Sequence, residues 1–230
     1  MNRHGHGASR GIPLHRIESF SDAVFAFAVT LLVVSLEVPH SAHDLFQTMH
    51  GFVAFGICFT FLAAFWYEHS WFFKTYPLND PVTVALNVLL LFVLLLYVYP
   101  LKFLFTLLMD MAIWHLPNEG IQTLDEFHTL MEIYGLGFLA LNVILLLMKI
   151  NAKRHAAEME LNRSDMAILH GSMARNVANG SVAAVSVLIA AFTQDVGVFG
   201  GFIYALIGPL DWFIGMHTRR LVRKLGAEAA

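Results

Sequence analysis

Two short segments of the chain place ionisable and hydrogen-bonding side chains inside otherwise apolar sequence. The first contains Arg16, Ser21 and Asp22, and the second contains Trp66 and His69. A carboxylate close to an imidazole can exchange a proton with it, or can accept hydrogen bonds from imidazole, indole, hydroxyl and guanidinium groups. These residue types indicate either a proton-carrying site or a polar network that fastens two segments together.

The segments that carry these residues are predicted to cross a membrane. Hydrophobic residues make up 57% of the 230 residues and charged residues only 13%, whereas about 25% of a soluble domain is charged. Six apolar runs are long enough to span about 30 Å of hydrocarbon as helices. They cover residues 17–38, 50–73, 81–101, 130–150, 174–194 and 196–218. We therefore expect an all-α membrane protein with one transmembrane domain over residues 1–230.

Local signals refine some of these helices. Asp80 and Pro81 suit the start of the third helix, as a capping residue and a first helical residue. Beyond Pro100 the apolar run continues to Leu108, so it either extends the third helix past a kink or lies along the interface. Only a few residues around Asp195 separate the last two runs, which predicts a tight antiparallel hairpin.

The positive charges predict the orientation. If the N-terminus is cytoplasmic, only Lys102 of the 14 Lys and Arg residues falls on the outer side, as expected for cytoplasmic loops rich in basic residues. Both termini are then cytoplasmic. The basic segment from Arg219 to Lys224 is expected to meet lipid headgroups rather than a nucleic acid.

The first helix holds an ionisable residue at an unusual depth. Its uncharged stretch, from Ala23 to Leu36, contains only 14 residues, so Asp22 must lie below the cytoplasmic surface. A carboxylate at that depth needs a partner or a water-filled cavity. Because the first two helices run antiparallel, His69 reaches nearly the same depth. We predict a network in which Asp22 can accept hydrogen bonds from Arg16, Ser21, Trp66 and His69.

The simpler interpretation of this network is that it fastens the two helices together. A proton pathway through Asp22 and His69, extended by Glu68 and Asp211, remains as an alternative. A secondary transporter would need a midplane site, and the candidates Asn142, Asn176, Asn179 and Gly208–Pro209 look too scattered along the sequence to form one.

A periodic apolar seam follows Asp22 along the first helix. Steps of three and four residues separate its members, Phe20, Val24, Phe27, Leu31 and Val34. Such a seam packs against copies of the same helix, lines an axis, or forms an ordinary interior stripe. Asp22, Ala26 and Thr30 form a neighbouring row of small or polar residues, which favours close helix approach in membranes.

Other residues indicate no cofactor or resident metal. The lone Cys58 excludes a disulfide framework and a cysteine-based metal site. The N-terminal segment contains His4 and His6, but two histidines in a tail make a poor metal site.

The first helix resembles that of a known family. Arg16-Ile17-Glu18-Ser19-Phe20-Ser21-Asp22 matches the RxxxFSD signature of the transmembrane protein 175 family of potassium channels. Trp66 and His69 are similar to the W-x-x-H that ends that family's second helix. Asn87 and Pro100 fall where its third helix carries an Asn and a closing Pro. The resemblance covers the chain as far as Pro100.

The resemblance implies a bacterial, single-unit potassium channel. Four copies would assemble as a homotetramer in the plasma (inner) membrane, with the first helix around the pore. Phe27, Leu31 and Val34 match its pore-facing apolar positions, and Thr30 matches its filter-region threonine. Arg16, Phe20, Ser21, Asp22, Trp66 and His69 match residues that hold the helices together.

The implied mechanism is a leak-like potassium flux through an apolar constriction that acts as filter and hydrophobic gate. The chain contains no TVGYG loop, so carbonyl oxygens would not replace the hydration shell as they do in other potassium channels. Phe27 departs from the Ile or Leu that the family usually has at its tightest point. An aromatic ring there could close the pore more firmly or face the cation.

Overall fold

The computed structural model describes residues 12–34, 41–109, 123–192 and 203–228. Six α-helices account for most of them: α1 (Leu14–Val34), α2 (Ala42–Thr75), α3 (Pro81–Met109), α4 (Leu124–Arg154), α5 (Arg163–Phe192) and α6 (Ile207–Glu228). A short 3-10 helix, Ile203–Leu206, precedes α6. Within this part of the chain the all-α prediction is confirmed.

Five of the described helices are long and apolar enough to cross a membrane. They are α1, Gly51–Thr75 within α2, α3, Asp125–Arg154 within α4, and α5. The sixth predicted span is only partly described, because residues 193–202, including the predicted hairpin at Asp195, lie outside the described residues. The six-span topology with cytoplasmic termini therefore stays a prediction.

Most helices are longer than the predicted apolar runs. α2 begins at Ala42 rather than at 50, α4 at Leu124 rather than at 130, α5 at Arg163 rather than at 174, and α6 ends at Glu228 rather than at 218. Hydropathy marks only the part that suits hydrocarbon, whereas a helix continues until a cap or a breaker ends it. Predicted residues 35–38 of the first helix lie outside the described residues.

Capping explains the early starts of α4 and α5. The Thr123 side chain accepts a hydrogen bond from the Glu126 amide, and the Glu126 side chain accepts one from the Thr123 amide. At the start of α5, the Asp165 amide donates to the Asn162 side chain at 2.9 Å, and the Asn162 amide donates to the Asp165 side chain at 3.1 Å. Each pair satisfies two amides that the first turn leaves free.

The third helix continues through Pro100 to Met109. Of the two interpretations that the sequence left open, the structure shows the extended helix. Leu101 and Leu107 are buried beyond the proline, so packing offsets the backbone hydrogen bond that the proline removes. The predicted end at residue 101 was therefore too early.

Asp80 joins the start of α3 to the end of α4. It caps α3 by accepting hydrogen bonds from the amides of Val82 and Thr83, at 3.1 and 3.2 Å. The Asn151 amide on α4 donates to both carboxylate oxygens at 3.1 Å. Partial burial raises the pKa of Asp80, but these bonds and one from the Thr83 hydroxyl outweigh it and lower that pKa below its usual value. The carboxylate thus holds two helix ends together in its charged form.

The helices pack in a sequential arrangement. α1 contacts α2 and α3, α2 contacts α3, α3 contacts α4, α4 contacts α5, and α5 contacts α6. Three glycines allow close approach: a Cβ at Gly137 on α4 would collide with the Tyr97 ring of α3, one at Gly135 on α4 with Val187 of α5, and one at Gly171 on α5 with Thr218 of α6.

One face of α1 is buried against the rest of the chain. Its buried residues recur at steps of three and four: Ile17, Ser21, Phe25, Ala28 and Leu32. They pack into the core that α2, α3 and α4 share. The remaining surface of α1 carries the apolar seam predicted from the sequence.

Candidate functional site

The inner end of α1 is tied to α2 by a hydrogen bond between two residues of the predicted network. The Trp66 indole donates from Nε1 to Oδ1 of Asp22 at 2.8 Å. A hydrogen bond to an ionised acceptor is stronger than one between neutral groups. Both side chains remain partly exposed, so the bond lies at the border of the core. The structure therefore brings Asp22 and Trp66 together at the depth expected for antiparallel helices.

Two other predicted donors, Ser21 and His69, form bonds with Asn87 of α3 instead of Asp22. His69 Nε2 lies 2.7 Å from Asn87 Oδ1, and Asn87 Nδ2 lies 3.0 Å from Ser21 Oγ. Ser21 in turn donates to the Ile17 carbonyl at 2.9 Å. The physical reason is angular: Ser21 lies on the buried face of α1, about 100° around the helix from Asp22. The expected single network is thus divided into two parts.

The second part also orients the His69 ring, whose Nε2 lies 2.7 Å from Asn87 Oδ1. Because Asn87 donates to Ser21 through Nδ2, its Oδ1 faces the imidazole, which must donate from Nε2. Nδ1 of His69 has no hydrogen-bond partner among the described residues. The ring is buried and lies against Phe25 and Phe73.

Arg16 and Phe20 are exposed on α1. No ion pair of Arg16 is formed within the part of the chain that the structure describes, so Arg16 does not reach Asp22. Phe20 belongs to the exposed seam rather than to the buried network. Of the six residues expected to hold the helices together, four make side-chain hydrogen bonds there: Ser21, Asp22, Trp66 and His69.

A half-open cavity of about 310 Å³ lies beside the network. Its lining is polar and consists of His15, Glu18, Ser19, Asp22, His69 and Ser70. Two carboxylates at the mouth of such a cavity favour water and cations over anions. Within the described residues no three His, Cys, Asp or Glu side chains are grouped so as to hold a metal ion.

The predicted constriction residues lie on the uncovered side of α1. Phe27 and Val34 are exposed, Leu31 is half-buried, and Thr30 is exposed beside them. The Thr30 hydroxyl donates to the Ala26 carbonyl of its own helix at 2.9 Å. α2 and α3 thus cover the opposite face of α1 and leave this apolar face free for another partner.

A second polar network, absent from the sequence-based prediction, lies between α2, α4 and α5. Lys149, which the sequence assigned to the cytoplasmic cations, is buried and donates to Glu68 Oε1 at 2.6 Å. It also donates to Asn176 Oδ1, and Asn176 donates to Asn142 Oδ1 at 3.2 Å. Asn142 and Asn176, which are far apart in sequence, are therefore adjacent in space, because they lie on neighbouring helices.

The sequence did contain a signal for this network. Lys149 and Glu68 are opposite charges within predicted spans, 130–150 and 50–73, near ends that face the same side. Ionisable residues inside spans usually pair with one another. Counting them as surface charges concealed the pair.

Comparison with known proteins assigns the fold to a family. A family model described as endosomal/lysosomal potassium channel TMEM175 matches residues 16–100. A protein of Marivirga tractuosa named potassium channel is 36% identical over 227 residues, which cover 94% of this chain and 92% of that protein.

Two solved structures resemble this chain in fold. The first is a variant of the potassium channel MtTMEM175 in complex with a Nanobody-MBP fusion protein; it is 35% identical, with a TM-score of 0.78 over 89% of this chain and 93% of that one. The second is a homolog, from Chamaesiphon minutus, of the lysosomal potassium-selective channel TMEM175; it is 21% identical, with a TM-score of 0.57 over 89% of this chain and 97% of that one. The second likeness concerns the fold alone.

The resemblance seen in the RxxxFSD motif is therefore confirmed along nearly the whole chain. The matched proteins are ion channels and not enzymes. This chain belongs to the TMEM175 family.

Proposed function

We propose that the protein is a potassium-selective, leak-like cation channel that assembles as a homotetramer around a pore lined by α1. The observation that carries the proposal is the uncovered apolar face of α1. Phe27 is 54% exposed although the other face of the same helix is buried. Relatives named potassium channels support the choice of ion.

The exposed seam suits a pore wall. Phe27, Leu31 and Val34 span eight residues, or roughly 10 Å of helix, so four copies would stack apolar rings along two turns. A narrow apolar passage empties of water easily and closes by dewetting. Potassium sheds water at a lower cost than sodium, so the passage should favour potassium. The Thr30 hydroxyl bonds to its own helix and would lie behind the rings.

The polar contacts at the inner end would hold this wall in place. Trp66 donates a hydrogen bond to Asp22, and Asn87 donates one to Ser21, so both α2 and α3 are bonded to the same turn of α1. In this proposal the cytoplasmic mouth lies beside the acidic cavity, and the exposed Arg219, Arg220 and Arg223 of α6 face the headgroups of the plasma (inner) membrane.

The test is flux through purified protein in liposomes under potassium, sodium or proton gradients. Phe27→Ala should raise potassium flux several-fold and lower the preference for potassium over sodium, because a wider constriction no longer requires dehydration. Phe92→Ala is the matched control, since Phe92 of α3 is 58% exposed but lies outside the proposed pore.

Two outcomes would contradict the proposal. Folded wild-type protein without potassium flux would refute the channel function. Equal effects of Phe27→Ala and Phe92→Ala would refute α1 as the pore wall. Proton flux that Asp22→Ala abolishes, in the absence of potassium flux, would favour the proton pathway instead.

A further inference from the structure

The inner turn of α2 contacts its neighbours in several directions. Trp66 donates to Asp22 of α1, and His69 bonds to Asn87 of α3. Glu68 lies between them in sequence and contacts the other helices. Its Oε1 forms ion pairs with Lys149 Nζ of α4 at 2.6 Å and with Arg175 Nη2 of α5 at 3.5 Å. One helical turn therefore joins the elements around α1 to the second half of the chain.

Side chains alone make this connection. In the part of the chain that the structure describes, no Cα atom of α2 lies within 8 Å of a Cα atom of α4 or α5. Aromatic contacts also join these helices: Phe61 and Phe65 of α2 lie against Phe138 of α4, with ring centroids 6.1 and 6.4 Å apart. The ion pair between Glu68 and Lys149 lies on the same turn of α2 as Trp66 and His69.

Because Lys149 is buried, it depends on its partner Glu68. Its side chain is 1% exposed, whereas Glu68 is 21% exposed and Arg175 is 40% exposed. A buried ammonium group needs an opposite charge and satisfied hydrogens. Lys149 bonds to Glu68, to Asn176 and to the Ser172 carbonyl, and Glu68 is the carboxylate of that set.

We propose that Glu68 and Lys149 form a positioning pair that sets the placement of the pore-lining helix α1 through α2. The pair does not touch the ion. It fixes the turn from which Trp66 and His69 reach α1 and α3, and so it controls the width of the constriction at Phe27. This inference rests on the proposed channel function.

The contacts predict an unequal response to removing either partner. Glu68→Gln leaves the buried Lys149 without its hydrogen-bonded carboxylate, so the apparent melting temperature should fall by about 10 °C. Lys149→Met leaves Glu68 with Arg175 and some exposure to solvent, so the fall should be roughly half as large. The double variant Glu68→Gln/Lys149→Met should be more stable than Glu68→Gln alone, because no buried charge remains unpaired.

Flux distinguishes positioning from simple fastening. Measured well below the melting temperature, Glu68→Gln should lower the preference for potassium over sodium at least about threefold, and the double variant should recover most of it. Arg175→Gln, which removes the longer and more exposed contact, should have a small effect. Arg163→Gln removes an exposed charge at the start of α5 and should match the wild type in stability and selectivity.

Three results would overturn the inference. The first is a folded Glu68→Gln protein with wild-type selectivity, which would make the pair a fastening only. The second is a double variant no better than Glu68→Gln, since the two residues would then act independently. If Glu68→Gln does not fold, wild-type selectivity in a folded Lys149→Met protein has the same meaning. Absence of wild-type potassium flux would instead refute the proposed function, while the thermal comparison would still report whether the two charges are coupled.

Discussion

Replacing Asn87 by leucine should destabilise the protein more than any change in side-chain size would suggest. Asn87 is buried in α3 and joins His69 of α2 to Ser21 of α1. Leucine has the same number of side-chain heavy atoms in a similar branched arrangement but no polar atoms, so His69 Nε2–H would lose its acceptor inside the bundle. Ser21 would lose one bond but keep its bond to the Ile17 carbonyl.

The magnitude follows from these two losses. A buried donor without a partner costs about 1–3 kcal/mol, and an interhelical hydrogen bond in a membrane protein contributes about 0.6 kcal/mol on average. The total of about 2–4 kcal/mol corresponds to a fall of roughly 5–10 °C in the melting temperature of a chain of this length. Thermal unfolding in detergent, followed by the protein that remains monodisperse on size exclusion, measures it.

Two further variants make the test specific. Val88→Ala changes an exposed neighbour on the same helix and should shift the melting temperature little. Asn87→Leu/His69→Phe removes both polar partners and keeps a ring against Phe25 and Phe73, so it should recover part of the loss. Equal melting temperatures for Asn87→Leu and Val88→Ala would refute the reasoning.

Two other perturbations test the packing and the helix caps. Gly137→Ala should lower the melting temperature, because its Cβ would meet the Tyr97 ring, whereas Gly56→Ala, with no neighbour within 4 Å, should have little effect; similar shifts in both would contradict the close approach of α3 and α4. Asp80 has a lowered pKa in the folded protein, so its stabilising contribution is complete above the ordinary value of about 4 and is lost as the pH falls through the folded pKa. Asp80→Asn keeps a capping side chain but cannot titrate, so its melting temperature should fall less than that of the wild type between pH 7 and pH 3. An equal fall in both proteins would rule out Asp80 as the source of the pH dependence.

Some features of this protein could be predicted from the sequence because they depend on local composition and spacing. Apolar runs located five described spans, since crossing hydrocarbon requires about 20 apolar residues whatever their neighbours are. The antiparallel arrangement of the first two helices placed Asp22 and His69 at nearly the same depth, with Trp66 among the possible donors, and the motif around Asp22 indicated the family. Helix ends were less accurate, because caps such as Thr123 and Asn162 lie in polar sequence that hydropathy does not detect.

The choice of hydrogen-bond partners was decided only by the tertiary structure. His69 bonds to Asn87 rather than to Asp22, and Lys149 is buried against Glu68 although its sequence neighbours suggested a surface cation. The same holds for Asn142 and Asn176, which are distant in sequence and adjacent in space. Spacing along a helix gives the depth and relative angle of each side chain, but the rotation of one helix against another determines which side chains meet.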